Sequence, residues 1–457
     1  MTSAHVTTDA DVRQSVSRDA SGLELVPDAV ARPGSVAEVL MVLEEASRDR
    51  TPVTAAGGQT STTAASLTDA GLLLSLRGLL GVRDIDHGAG SVRVASGELL
   101  GPLKRQLAAE GFLLAPDPTS EDDCTVGGAL ACNASGARSL RYGATRAHVR
   151  GLTVALVNGD VLELRRPSLE KNTVGYAPVH DLVDWFIGSE GTLGVILEAE
   201  LALLPLPAWV IGLGVPFPTE TAALAFVVAA RQSRTLAPRC LEFLDAGALA
   251  IARTAAQDEG WAREASALIY TELSGGEADE PPLDGWLELA MEHGALEDDI
   301  RVYEGEAALR EARRLRHAVP ATMHERAAPH RPSGGRRVST DWAVPYHRLG
   351  DALAASRRAV EARGLAQPVT FGHAGNGHPH QNFIARDSAE LERITDAVSE
   401  TLREVIALGG TVAAEHGIGK IKARWLPLQM SGTQQAMMRA IKRELDPHTL
   451  LARGNIL

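Results

Sequence analysis

Cysteine, surplus positive charge and long apolar runs are what this chain lacks. Its 457 residues hold three cysteines, Cys124, Cys132 and Cys240. None stands in a CxxC pair, which excludes a disulfide framework and the spacings of zinc ribbons or iron–sulfur clusters; the expected compartment is a reducing cytoplasm. The net charge of −13 argues against non-specific nucleic-acid binding. The longest apolar candidate, residues 193–216, is broken by Pro205, Pro207 and Pro216 and carries Glu198 and Glu200. No stretch is therefore expected to cross a bilayer, although peripheral contact with the inner membrane face stays open. The start, MTSAHVTTDADVRQSVSRDASG, lacks the basic opening and apolar centre of a signal peptide. Also missing are the G-x-G-x-x-G and P-loop spacings that seat phosphates on a helix.

What is present points to two domains, since the chain is too long for one ordinary core. Residues 35–49 put Val36, Val39, Leu40 and Leu43 at helical spacing. Residues 52–66 read as a short strand entering a Gly/Ser/Thr-rich loop. Residues 81–97 read as a hairpin with Val92 and Val94 inward, 97–111 as an amphipathic helix closed by glycine, and 151–164 as a hairpin turning at Asn158–Gly159. Residues 115–151, rich in small residues, read as one long loop, a length that is usually functional. Residues 181–205 read as strand, turn, strand. The texture changes near 205–210, where a domain boundary is expected. Beyond it come alanine-rich helices, an exposed loop at 274–285, and an arginine-dense stretch at 310–337 that is mostly a solvated helix face. A last helix is expected to end at Asp446–Pro447.

Three loops, 57–61, 125–136 and 188–194, present successive backbone N–H groups among small hydroxyls, a pattern suited to anionic oxygens. Three in one domain suggest a long ligand such as a dinucleotide. Two polar clusters lie further on, FGHAGNGHPHQN at 371–382 and AAEHGIGKIK at 413–422. His378 and His380 are two apart, so a strand would place them on one face, and His373 can fold back across the GNG turn. Imidazole and carboxylate, here with Glu415 and His416, are ligands that zinc and its neighbours favour. By spacing alone, a metal site and a pair of unrelated surface loops are about equally supported.

Together these stretches make the sequence recognisable. PDAVARPGSVAEVL, PVTAAGGQTS, the segment 116–152, GSEGTLGVILEAEL, GHAGNGHPHQN, EHGIGKIK and LDPHTLLARGNIL occur in order. The chain resembles the FAD-linked oxidoreductases of the vanillyl-alcohol oxidase superfamily over roughly residues 25–457, most closely the D-lactate, glycolate and D-2-hydroxyglutarate dehydrogenase branch. The resemblance implies an α+β two-domain flavoprotein. An FAD-binding domain would span 1–207, a cap domain on an antiparallel sheet 208–412, and a segment returning to the FAD domain 413–457.

It further implies non-covalent FAD, because no histidine occupies the GGQTS loop where relatives with covalent flavin attach it. The implied FAD residues are Ala56, Gly57, Gly58, Gln59, Thr60 and Ser61 in the first loop. In the long segment they are Pro116, Asp117, Ser120, Gly127, Gly128, Asn133, Gly136, Tyr142 and Gly143. Glu190, Gly191, Gly194, Val195 and Ile196 complete the set. His373, His380 and Glu415 would bind a divalent metal, zinc foremost. His416 would be the base, Asn382 would position the substrate, and Arg316 would meet its carboxylate. The implied reaction turns a D-2-hydroxy acid into a 2-oxo acid and passes electrons to a quinone, a cytochrome or an electron-transfer flavoprotein. A homodimer is the assembly considered. The sequence departs from the branch at several points. Ala56 stands where many relatives have arginine, Asn376 and His378 replace an aspartate and an asparagine, and Ser339 stands where some use lysine. Two competing expectations are a metal-independent flavin oxidase of alcohols or sugars and a flavoprotein subunit that needs partner chains.

Overall fold

A computed structural model describes residues 6–169, 171–176 and 181–457; the first five residues of the N-terminal stretch lie outside the described residues. The chain forms two compact units. One comprises Met1–Gly136, Gly143–Leu206 and Glu415–Leu457, the other Ala137–Tyr142 and Pro207–Ala414. The second unit thus borrows a six-residue piece, 137–142, that nothing in the sequence pattern marks as separate.

The first unit begins with β1 (Val6–Thr7), β2 (Ala29–Ala31), β3 (Val53–Ala56) and β4 (Leu72–Ser75), ordered β1-β2-β4-β3. The helix Val36–Asp49 covers them because Val39, Val42, Leu43 and Ala46 share one face, and Ser35 caps its start by accepting from the Glu38 amide. The outer edge of β3 is met from the far end of the chain. Val53 N donates to Leu450 O and Ala452 N donates to Val53 O, each at 2.8 Å.

A second sheet holds β5 (Val82–Asp86), β6 (Ser91–Ala95), β8 (Val149–Ala155), β9 (Val161–Arg165) and β10 (Val195–Ala202), ordered β5-β6-β10-β8-β9 and antiparallel throughout. Short β7 (Phe112–Leu113) and β11 (Leu204–Pro205) pair separately. Both expected hairpins are present, and Val92 and Val94 point into the core.

Two stretches differ from expectation. The first part of 181–205 is a short helix, Val183–Phe186, not a strand. Val183 and Phe186 bury one turn apart, and the Arg146 guanidinium donates to the carbonyls of Asp184 and Ile187 at 3.0 and 2.6 Å. Those carbonyls therefore need no ladder partner. Within 115–151 the small residues build a helix, Val126–Cys132, capped by Thr125.

The second unit is one seven-stranded antiparallel sheet. Its strands are β12 (Trp209–Phe217), β13 (Cys240–Asp245), β14 (Ala267–Gly275), β15 (Arg301–Glu304), β16 (Gly334–Ser339), β17 (Val369–His373) and β18 (His378–Asp387), ordered β15-β12-β14-β13-β17-β18-β16. The helices Ala246–Ala256 and Gly305–Ala327 pack Leu249, Leu315, Val319 and Met323 against Leu244 and Phe371. Among the described residues no helix is long and apolar enough to cross a membrane.

Glu272 on β14 ties the borrowed piece in place. Arg138 Nε and Nη2 each donate to its carboxylate at 2.8 Å, and Arg239 Nη1 adds a third bond at 3.1 Å. Burial alone would raise the Glu272 pKa, but the two guanidinium groups hold it at about 2. A carboxylate depressed from its ordinary 4.5 adds stability above that pH and loses it as pH falls toward 2. Glu272→Gln is expected to remove on the order of 3 kcal/mol of this pH dependence. Urea midpoints read by tryptophan fluorescence should fall less steeply between pH 4.5 and 2 in the variant than in the native chain; equal slopes would remove Glu272 as the cause.

Candidate active site

Strands β17 and β18 make a hairpin whose turn, Ala374–Asn376, ends at Gly377 with φ +67°. A Cβ there would sit 1.9 Å from the Val344 carbonyl oxygen, so only glycine fits. The register pairs His373 with His378 and Phe371 with His380. Side chains two apart share a face, so the three imidazoles gather on one side of the sheet. Their ring centroids lie 4.5–5.3 Å apart, and each ring offers a nitrogen within 4.8 Å of the others. All three are at least 95% buried.

Buried imidazoles need polar partners, and for His373 a carboxylate supplies one. Glu242 on β13 takes His373 Nδ1 at 2.6 Å on one oxygen and Arg316 Nε at 2.6 Å on the other. Burial would raise the Glu242 pKa, but the His373 ring and the Arg316 guanidinium hold it well below the carboxylate range. His378 Nε2 lies 3.0 Å from Asp341 Oδ1 but out of line, and it makes no hydrogen bond among the described residues. Asn382 donates to the His380 carbonyl at 3.2 Å, and its buried Oδ1 finds no donor among the described residues. Three close ring nitrogens, with His373 held from behind by the Glu242 carboxylate, fit a divalent ion, and Asn382 Oδ1 is an acceptor awaiting a donor.

Glu415 and His416 open the last segment of the other unit. They lie in neither helix nor strand. His416 Nε2 is 3.3 Å from Glu415 Oε1, and Ser135 Oγ donates to Glu415 Oε2 at 3.2 Å. The segment is pinned by Glu190, whose carboxylate accepts from the Ile418 and Gly419 amides at 2.5 and 2.7 Å. Burial raises the Glu190 pKa, an effect these two amides oppose. Asn455 adds a second tie, donating to the carbonyls of Ala65 and Glu190 and accepting from Lys420 Nζ at 2.7 Å.

The expected cofactor segments of this unit do converge. Gly57 and Gly58 abut Thr125 and Asp123, and Gly136 abuts Asp117; a Cβ at any of them would lie within about 2.2 Å of the neighbouring segment. Gly188 and Glu190 donate their amides to Leu130 and Ala131. The three loops are nonetheless not equivalent as anion cradles. The amides of 126–128 and of 188–190 are consumed internally. Those of Gly58, Gln59 and Thr60 donate to no described residue, and Thr62 Oγ1 is buried without a partner among the described residues. Open amides thus remain at the first loop, where a phosphate fits. Of the remaining residues, Gly143 bends the chain at φ +81° and Asn133 accepts from the Arg146 amide. Pro116 accepts from Lys104 Nζ at 2.9 Å, and Ser120 from the Asp123 and Cys124 amides through its carbonyl. Val195 and Ile196 are buried in β10, with Gly194 packed on Val154 just before it. Tyr142 lies in the second unit, with its hydroxyl accepting from Arg239 Nε at 3.2 Å.

Sequence reasoning did not single out Glu242, Asp341 or Ser135 as parts of these arrangements. An acid alternating inward on an apolar strand, as in CLEFLD at 240–245, was the available signal for Glu242.

One unit carries a loop with open amides and the other a histidine cluster on its sheet, and sequence comparison gives the class. Residues 27–165 match the FAD binding domain pattern, and residues 206–456 match that of the FAD linked oxidases, C-terminal domain. The chain belongs to the FAD-linked oxidase family and is an FAD-dependent oxidoreductase. It is 30% identical to the glycolate oxidase subunit GlcD of Bacillus subtilis (strain 168), covering 94% of this chain and 89% of the relative. It is 32% identical, with the same coverage, to the D-2-hydroxyglutarate dehydrogenase of Xanthomonas citri pv. viticola. Its fold is shared by alkyldihydroxyacetonephosphate synthase, with a TM-score of 0.73 at 18% identity over 99% of this chain and 84% of the other.

Proposed function

We propose that the chain oxidises a D-2-hydroxy acid, of the glycolate, lactate or 2-hydroxyglutarate kind, to its 2-oxo acid. Electrons then pass to a quinone, a cytochrome or an electron-transfer flavoprotein. The observation that carries this reading is the buried trio His373, His378 and His380, with the Glu242 carboxylate behind His373, set in a chain of the FAD-linked oxidase family. The names of the relatives support the substrate class. When bound, FAD supplies the hydride acceptor and a divalent metal, zinc foremost, lowers the pKa of the substrate hydroxyl. His373, His380 and Glu415 would hold the metal. Arg316 binds the substrate carboxylate, Asn382 Oδ1 accepts a hydrogen bond from substrate, and His416 takes the hydroxyl proton at Nε2 beside Glu415 Oε1. The Gly58–Thr60 amides would hold the anionic oxygens of FAD, without a covalent link.

Anaerobic titration of the FAD-loaded chain with paired D- and L-hydroxy acids, with and without a chelator, tests the reading. A D-acid should bleach the flavin, and chelation should slow that bleaching at least tenfold. Bleaching by L-acids alone, or bleaching indifferent to chelation, would count against it. A second reading has one observation in its favour: the Bacillus relative is named as a subunit. If this chain also works only with partners, the isolated protein will hold FAD and turn over no artificial acceptor.

A further inference from the structure

Glu242 touches two of the side chains given roles above, His373 and Arg316. It lies on β13, next to β17 in the sheet. The register pairs Phe243 with Gly372 and Leu244 with Phe371, so it runs on to set Glu242 beside His373. Arg316 reaches the same carboxylate from the helix Gly305–Ala327. Each oxygen has its own partner at 2.6 Å, His373 Nδ1 on Oε1 and Arg316 Nε on Oε2. The side chains of Glu242, His373 and Arg316 are 1%, 5% and 11% exposed, so water does not dilute these contacts. A strand glutamate among apolar neighbours is costly to bury, and a packing role would be served better by leucine.

We propose that Glu242 is a positioning residue joining the metal site to the substrate carboxylate site. Its Oε1 keeps the His373 proton on Nδ1 and so leaves Nε2 as the donor to metal. Its Oε2 fixes the plane of the Arg316 guanidinium, which sets the direction from which a carboxylate docks. Metal affinity and substrate affinity then share one residue that contacts neither ligand. The inference rests on the proposed function for its two ligands and adds the coupling between them.

The test uses the full-length, FAD-loaded chain with Glu242→Gln and Glu242→Ala. Zn²⁺ affinity is measured by competition with a chromophoric chelator, and KM and kcat with the best hydroxy acid. Loss of the carboxylate should raise the Zn²⁺ Kd about 10–100-fold in Glu242→Ala. KM should rise at least tenfold in the same variant. Glu242→Gln has one acceptor oxygen for two donors, so it should show both changes at smaller size, with FAD content and circular dichroism as in the native chain. Zn²⁺ affinity within threefold of native in both variants overturns the inference. If Glu242→Ala fails to fold, Glu242→Gln decides by the same criterion. A further readout needs no variant at Glu242. Long-range ¹H–¹⁵N spectra of the metal-free native protein should place the His373 proton on Nδ1, and a proton on Nε2 overturns the proposal. A native chain that binds no Zn²⁺ overturns the metal reading and this inference together; native binding with unchanged variants overturns this inference alone.

Discussion

His416→Ala is expected to keep FAD and metal and to lose reduction of the flavin by substrate. The backbone around His416 is tied at its carbonyl and at the amides that follow. Thr63 Oγ1 donates to the His416 carbonyl at 3.3 Å, and Glu190 holds the next amides, those of Ile418 and Gly419. The imidazole is about a quarter exposed, so truncating it opens no sealed cavity. Substitution therefore removes the imidazole while these backbone ties stay in place. General base catalysis accounts for about 10²–10⁴-fold in rate. Anaerobic stopped-flow bleaching should slow by that factor while the flavin absorbance of the resting protein is unchanged. A variant that bleaches at the native rate would take the base role away from His416.

The second large effect is expected at Glu190, whose side chain serves the neighbouring loop. Glu190→Ala leaves the amides of Ile418 and Gly419 without their acceptor. Hydrogen bonds to a charged group contribute about 1.5–3 kcal/mol each. The segment carrying Glu415 and His416 should then lose on the order of 3–6 kcal/mol of local stability. Amide exchange at 418 and 419 should speed by at least a hundredfold, and activity should fall with it. Glu190→Gln, which keeps one acceptor oxygen, should land between native and alanine. If Glu190→Ala instead releases FAD while those amides stay protected, the side chain serves the cofactor directly and the anchoring role fails.

The fold was legible wherever a local period or a turn declared itself. The helix at 36–49, the hairpins at 82–95 and 149–165 and the histidine hairpin at 369–387 follow from residue spacing, because each is decided within a dozen residues. The helix Val183–Phe186 was not legible, since what ends its carbonyls is Arg146, nearly forty residues earlier. The same reason hid the borrowed piece 137–142, which is claimed through Arg138 by Glu272, 134 residues away. At the site, histidines among glycines are conspicuous in a sequence. A glutamate inside a strand is not, so His373 was visible and Glu242, 131 residues from it, was not. The loops at 125–136 and 188–194 look like open cradles until the amides of 126–128 and 188–190 are traced to carbonyls and the Thr125 hydroxyl inside the same unit.

The bridge from β3 to Leu450–Ala452 carries a consequence for synthesis on the ribosome. Residues near position 53 leave the exit tunnel with one flank of their sheet bare, and that flank waits for segments translated some four hundred codons later. Everything from Pro207 to Ala414 is available to fold in the interval. The nascent protein must therefore keep its earliest sheet from pairing wrongly until residues 450–452 have been made, and altering the residues just past Ala452 should disturb yield more than a change on a surface loop ordinarily would.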